Sequence, residues 1–260
     1  MYNNDIIKKV GEINYNNNGS KMQIIKYINN RNVFIQFDNN NYKTKTSYKD
    51  FKEGRVKNPY DKTYVGIGFL GEGKYKKYIN KKDTKQYSEW GHMLKRCYDK
   101  NYLSRFPTYK DCTVCKEWCN FQIFAKWFDE NYYEIDNEKM RLDKDILIKG
   151  NKIYSPETCI FVPENINNLF VKSDAIRGKY PIGVTEHKPH KLYTTKYRAR
   201  CMNNNKKRID LGLYNTPGEA FYAYKKYKEN LIKRIADEYK NKIPQKLYDA
   251  MYRYKVEITD

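Results

Sequence analysis

The run Lys196-Tyr197-Arg198-Ala199-Arg200-Cys201 alternates basic residues with residues suited to a packed interior. A period of two places Lys196, Arg198 and Arg200 on one face of a strand and Tyr197, Ala199 and Cys201 on the other. The next run repeats the scheme, with Lys206 and Arg208 outward and Ile209 and Leu211 inward near a bulge, so the basic side chains belong to a sheet. A helix follows. Thr216 is a ready N-cap, Pro217 suits the first turn and Glu219 completes a capping box. Ala220, Ala223, Tyr224, Tyr227 and Leu231 then share one face and predict a helix lying on a three-stranded antiparallel sheet.

The charge balance of the whole chain agrees with a cationic face. Lys and Arg number 51 against 31 Asp and Glu, a formal net charge of +20 that favours phosphate backbones through counterion release. The expected partner is double-stranded DNA, with neither a membrane nor a small-molecule substrate. The 27 tyrosines exceed what a core of this size hides, so many must stack or hydrogen-bond at half-exposed positions. The run from Lys74 to Lys82 reads as a solvated charge run. No apolar stretch is long enough to span a membrane, and Met1-Tyr2-Asn3-Asn4-Asp5 lacks the pattern of a secretory signal, so a cytoplasmic location is expected. Disulfides are then not expected, and the six cysteines read as thiols or metal ligands.

Ahead of the basic sheet, Met22 to Tyr27 and Asn32 to Phe37 read as strands joined by the turn Asn29-Asn30-Arg31. Tyr42 to Tyr48 is a third, and together they predict a small β barrel or meander with Asn-rich turns at Asn16-Asn17-Asn18-Gly19 and Asn39-Asn40-Asn41. This module reads either as an accessory DNA contact or as a structural or protein-binding element. Gly66, Gly68, Gly71 and Gly73 lack the Gly-Lys-Ser/Thr ending of a phosphate loop and read as a linker. Trp90, Met93, Leu94 and Cys97, and then Trp118, Phe121, Phe124, Ala125 and Phe128, recur at helical spacing and predict two amphipathic helices sharing an aromatic core. Leu247, Ala250, Met251 and Tyr254 predict a short terminal helix that packs back on the body.

Several submotifs of the basic module occur in order: Tyr180-Pro181-Ile182-Gly183-Val184, Tyr197-Arg198-Ala199-Arg200, Leu211-Gly212-Leu213-Tyr214, Thr216-Pro217-Gly218-Glu219-Ala220 and Ala223-Tyr224. From Lys179 to Tyr239 the chain resembles an AP2/ERF DNA-binding domain. The resemblance implies a sheet laid in the major groove, reading bases through strand-borne side chains. Candidate DNA-binding residues are then Lys196, Arg198, Arg200, Lys206, Lys207 and Arg208. The arginines are suited to guanine edges and the lysines to phosphates. His187 and His190, flanking Pro189, are further candidates for phosphate contact.

Between the aromatic helices and this module lie Leu142-Asp143-Lys144-Asp145-Ile146, Lys149-Gly150-Asn151, Tyr154-Ser155-Pro156-Glu157-Thr158-Cys159 and Val162-Pro163-Glu164-Asn165-Ile166-Asn167-Asn168. An acidic turn, a Gly-Asn turn and an Asn-rich helix offer carboxylate and amide oxygens to a hard cation such as Mg²⁺ or Mn²⁺. With Trp90, Met93, Arg96-Cys97-Tyr98, Val114-Cys115-Lys116-Glu117-Trp118, Phe121, Phe124 and Trp127, the stretch from Tyr87 to Leu169 resembles phage and mobile-element HNH endonucleases. Their ββα-metal motif often sits beside AP2-like modules. The resemblance implies Asp143 as first metal ligand, an Asn among Asn165, Asn167 and Asn168 as second, and candidate catalytic residues Asp143, Lys144, Asp145, Asn151, Asn165 and Asn167. Lys144 stands where the family has its water-activating histidine, and Asp145 is the nearest alternative base, weaker at neutral pH.

Cys112-x-x-Cys115 with Cys119 and Cys159 forms a candidate structural zinc set, although a strong zinc signature has two close pairs. The other reading makes Cys97, Cys115 and Cys159 small buried core residues. The expected fold is thus α+β and multidomain: a small β barrel at 1–65, a linker at 66–86, an HNH-like ββα core with aromatic helices at 87–175, the AP2-like sheet and helix at 178–240, and a helical tail at 241–260. Two functions fit. One is a phage homing-type DNA endonuclease acting in a bacterial host's cytoplasm. The other is a non-catalytic, sequence-preferring DNA-binding protein, a regulator or anti-defence factor, that keeps a degenerate nuclease core.

Overall fold

The protein is described by a computed structural model covering residues 9–171, 178–187, 196–204 and 207–260. Lys206, Pro189, His190 and the first residues of the chain lie outside the described residues. The fold is mixed α+β, with seven α-helices among the described residues, and divides into two compact units, Met1–Glu130 and Asn131–Asp260.

In the first unit, β1 (Ile13–Tyr15), β2 (Lys21–Asn29), β3 (Asn32–Phe37) and β4 (Lys43–Thr46) form an antiparallel sheet in sequence order. The expected barrel does not close. With four strands, of which the outer two have three and four residues, there is too little edge to curl the sheet onto itself. The apolar face is covered instead by the short helix α1 (Tyr48–Lys52). Its Phe51 joins Met22, Ile24, Val33, Ile35 and Phe37 in a buried cluster. The Asn-rich turn does more than reverse the chain. Asn16 Oδ1 accepts the Asn18 and Ser20 amides, while Asn16 Nδ2 (2.7 Å), Asn18 Nδ2 (3.0 Å) and Ser20 Oγ (2.5 Å) donate to the buried carboxylate of Asp61. A buried charge holding three donors is tolerated where an unpaired one is not.

A minor hairpin, β5 (Tyr78–Ile79) with β6 (Lys82–Asp83), precedes helix α2 (Lys85–Tyr98), whose N-cap Thr84 accepts the Tyr87 amide. Trp90, Met93, Leu94 and Cys97 are buried as their spacing predicts. Asp99 caps the short helix α3 (Lys100–Arg105), and β7 (Thr113–Val114) follows. Helix α4 (Phe121–Asn131) buries Phe121, Phe124, Ala125, Trp127 and Phe128. The two aromatic faces meet: the Trp90 and Phe121 rings lie 5.6 Å apart, and Trp90 Nε1 donates to the Trp118 carbonyl at 2.8 Å. Gly68 is a glycine because a Cβ there would come within 2.5 Å of Leu94 Cδ1.

The second unit holds β8 (Met140–Asp143), β9 (Ile153–Tyr154), β10 (Ile160–Pro163) and the single-turn helix α5 (Glu164–Asn167). β8 and β10 pair antiparallel with Asp143 opposite Ile160, and α5 packs on both, so strand, strand and helix follow in the ββα order. The three-stranded sheet β11 (Val184–His187), β12 (Lys196–Met202), β13 (Arg208–Tyr214) is antiparallel, as expected. Helix α6 (Pro217–Glu238) begins at Thr216, whose Oγ1 accepts the Glu219 amide, while Glu219 reaches back to the Asn215 amide.

At 22 residues, α6 is about 33 Å long and serves two cores. Its first turns lay Ala220, Phe221 and Tyr224 against Val184, Ala199 and Cys201 of the sheet. Its later turns lay Leu231, Ile232, Ile235 and Ala236 against Ile160, Val162 and Ile166 of the ββα element and against Leu247 and Met251 of the terminal helix α7 (Gln245–Arg253). Each buried Leu or Ile contributes about 1.5–3 kcal/mol. Strand pair and sheet are thus carried on one continuous helical spine. Several tyrosines of this unit donate to carboxylates: Tyr248 and Tyr252 to Asp237, Tyr239 to Glu138, Tyr180 to Glu186.

Candidate nucleic-acid interface

The register of the second sheet fixes which side chains share its uncovered face. Ala199 and Cys201 are buried under α6, so Lys196, Arg198, Arg200 and Met202 point away from it. In β11, Thr185 lies opposite Arg198 and His187 opposite Lys196. In β13, Arg208 lies opposite Met202, Asp210 opposite Arg200 and Leu213 opposite Arg198. The step from the Ala199–Gly212 pair to the Arg200–Asp210 pair leaves Leu211 as an extra residue, which turns inward onto the helix-side core. Among the described residues of this face, four cations share the surface with one carboxylate.

That carboxylate organises the arginines. Asp210 Oδ2 lies 3.6 Å from Arg198 Nε and 3.9 Å from Arg200 Nε, ion-pair range but too long for hydrogen bonds. Arg198 Nε is buried without a hydrogen-bond partner among the described residues, and its Nη2 lies 3.5 Å from His187 Nε2. The Arg198 side chain is a quarter exposed and that of Arg200 about a third. Both forks are therefore held near the sheet, with donors that no described residue uses. Lys196 is tied by a hydrogen bond to Asn215, and Lys207 and Arg208 are exposed.

The acidic segment is built differently. Asp143 closes β8, and its Oδ1 accepts the amides of Asp145 (2.9 Å) and Ile146 (2.7 Å), a local turn that fixes the backbone. Burial pushes the Asp143 carboxyl above its usual range, and the neighbouring Asp145 charge adds to the shift; the two amides and Lys144 oppose it. Lys144 is itself buried, with Nζ 3.4 Å from Asp145 Oδ2. Asn151 Nδ2 donates to the Lys144 and Ile153 carbonyls (2.6 and 2.7 Å), so it braces the turn. Asn165 donates to Glu138 at 3.0 Å. Asn167 is half-buried on α5, which packs on the strand that ends at Asp143.

Mg²⁺ takes six oxygens and is commonly anchored by one or two carboxylates. Here one Asp143 oxygen is committed to backbone amides, and the chain places its own ammonium against the second carboxylate. Among the described residues no group of three or more His, Cys, Asp or Glu side chains comes together as metal ligands. Of the proposed zinc set, Cys112 and Cys159 are buried, Cys115 and Cys119 half-buried, and Cys119 Sγ lies 3.7 Å from the Cys115 carbonyl. Burial pushes the Cys159 thiol up to about 12, which keeps it protonated at neutral pH.

Two residues of this region had no place in the sequence reading. Asp210 is recognised only once the bulge sets it opposite Arg200. Lys228 left a signal that was legible: it falls four residues after Tyr224 and three before Leu231, on the buried stripe of α6. No family model, curated protein or solved structure matches this chain.

Proposed function

We propose that the protein binds duplex DNA through the uncovered face of β11, β12 and β13, with the ββα element as its scaffold. The observation that carries this reading is the Arg198–Arg200 pair: two partly exposed guanidinium groups on one strand face, with donors left over, poised by a shared carboxylate. Guanidinium forks suit base edges and phosphates alike, and Lys196, Lys207 and Arg208 add sequence-independent attraction around them. None of the described helices is long and apolar enough to cross a membrane. Fluorescence anisotropy of a labelled duplex, titrated at several salt concentrations, tests the reading; no salt-dependent binding in the micromolar range or tighter would remove it.

Asp210 supplies a sharper check. It is the one carboxylate among the described residues of the face, and it repels a phosphate about as strongly as a single cation attracts one. Asp210→Asn is expected to tighten duplex binding by about 1 kcal/mol, roughly fivefold at low salt. Weaker binding by the variant would mean that Asp210 orients the arginines more than it opposes the DNA.

The ββα order of β8, β10 and α5, with Asp143 at the strand end, supports a second reading, an endonuclease of HNH type. Plasmid nicking with Mg²⁺ or Mn²⁺ tests it, comparing the natural chain with Asp143→Ala. On the scaffold reading neither chain nicks a plasmid that both bind. Metal-dependent nicking that disappears in the variant would establish the enzyme instead.

A further inference from the structure

β12 runs on past its partner. The last β11 pair joins Val184 to Ala199, and the Arg200 amide then donates to the Gly183 carbonyl at 2.8 Å. Beyond that point the strand opens onto a cleft of about 660 Å³. Three cations reach its wall from three elements: Arg200 from β12, Arg208 from β13 and Lys228 from α6. Among the described residues no carboxylate lines it, while Asn168 of the ββα side and Asn204 after β12 contribute amides. The cleft thus sets three cations and several amides beside an apolar wall that includes Leu169, Ile182, Met202 and the Tyr224 ring.

Lys228 is the residue that calls for an explanation. It is half-buried on the core-facing stripe of its helix, and no carboxylate pairs with it among the described residues. Burial holds its ammonium below the usual lysine range, and the Cys201 thiol acts in the opposite direction. A desolvated ammonium without a counter-ion destabilises a fold, whereas methionine at the same place would not. Gly183 keeps the cleft shaped. At φ +79° it adopts a conformation that L side chains rarely take, and a Cβ there would run into the Tyr224 ring.

We propose that this cleft is a phosphate site in which Lys228, Arg200 and Arg208 together hold a nucleotide phosphate. The phosphate chemistry stands on the cleft alone; its origin in nucleic acid rests on the duplex-binding reading above. Arg200 and Arg208 also belong to the open sheet face, whereas Lys228 reaches the cleft from the helix side. A free nucleotide would meet the same three cations.

The test uses the full chain and Lys228→Met, which keeps the side-chain length and removes the charge. Two probes are titrated, dTMP by calorimetry and a short labelled duplex by anisotropy. The variant is expected to bind at least one of them about tenfold more weakly, and a duplex effect brings a salt dependence shallower by about one charge. Its melting temperature should stay or rise, because a buried charge has gone. The exposed Arg208→Gln should reproduce the loss and guards against a variant that fails to fold. A loss confined to the duplex assigns the site to a backbone phosphate, and a loss confined to dTMP to a free nucleotide. Affinity for both probes equal to that of the natural chain overturns the site. Should the natural chain bind no duplex, the DNA reading falls and the dTMP titration alone decides the cleft.

Discussion

With Arg198 and Arg200 both replaced by alanine, duplex affinity is expected to fall by roughly a hundredfold or more, since each well-placed guanidinium contributes about 1–3 kcal/mol. Lys81→Ala, which also removes one exposed positive charge, should change affinity no more than about threefold. The two arginines will not act additively. Asp210 lies within ion-pair distance of both, so removing Arg198 leaves its carboxylate free to draw Arg200 down and compromise the remaining contact. Each single variant should therefore lose more than its own share, and the double variant less than the sum of the two. A double-mutant cycle read by anisotropy measures that coupling. Equal, small losses at Arg198, Arg200 and Lys81 would reduce binding to diffuse electrostatics and remove the face as a reading surface.

The second large effect concerns stability. Trp90 is fully buried, with the rings of Tyr64, Tyr87 and Phe121 at 5.1, 5.6 and 5.6 Å and its indole nitrogen bonded to the Trp118 carbonyl. Trp90→Ala removes the ring, leaves a cavity that the surrounding aromatics fill only in part, and strands a carbonyl. The expected cost is about 3–5 kcal/mol. For a unit of this size that corresponds to a fall in melting temperature of roughly 10 °C or more. Calorimetry measures it, and a loss below about 1 kcal/mol would mean that the aromatic cluster collapses around the gap. Because Trp90 belongs to the first unit and the arginine face to the second, duplex affinity measured well below the melting transition should stay within about twofold.

Much of the second unit was legible because its signals are local. Alternation over Lys196 to Cys201 gave the strand and both of its faces, and Thr216, Pro217 and Glu219 gave the start of the helix. The spacing of Trp90 to Cys97 and of Phe121 to Phe128 gave the aromatic helices. Other features join residues distant in sequence. Asn16 and Asp61 are 45 positions apart, and no periodicity announces that a turn asparagine will hold a buried carboxylate. Strand patterning in the first unit predicted strands correctly but left barrel and meander open, since closure depends on edge length and on whether Phe51 covers the sheet. Around Asp143, the residue types marked an acidic turn, whereas the backbone amides that donate to Asp143 Oδ1 and the Lys144 ammonium beside Asp145 are set by the turn's geometry.

The sequence by itself determined where the long strands of both sheets and the helices α2, α4, α6 and α7 lie, which strand face is basic, and that the chain carries an excess of positive charge. All of these follow from side-chain periods of two and 3.6, which need only neighbouring residues. Tertiary structure alone decided that a bulge places Asp210 between the arginines, that one helix serves both the ββα element and the sheet, and that Lys228 meets Arg200 and Arg208 around a cleft. Each depends on register and packing between segments brought together only by folding, and the electrostatics of a site depends on those distances rather than on the order of residues along the chain.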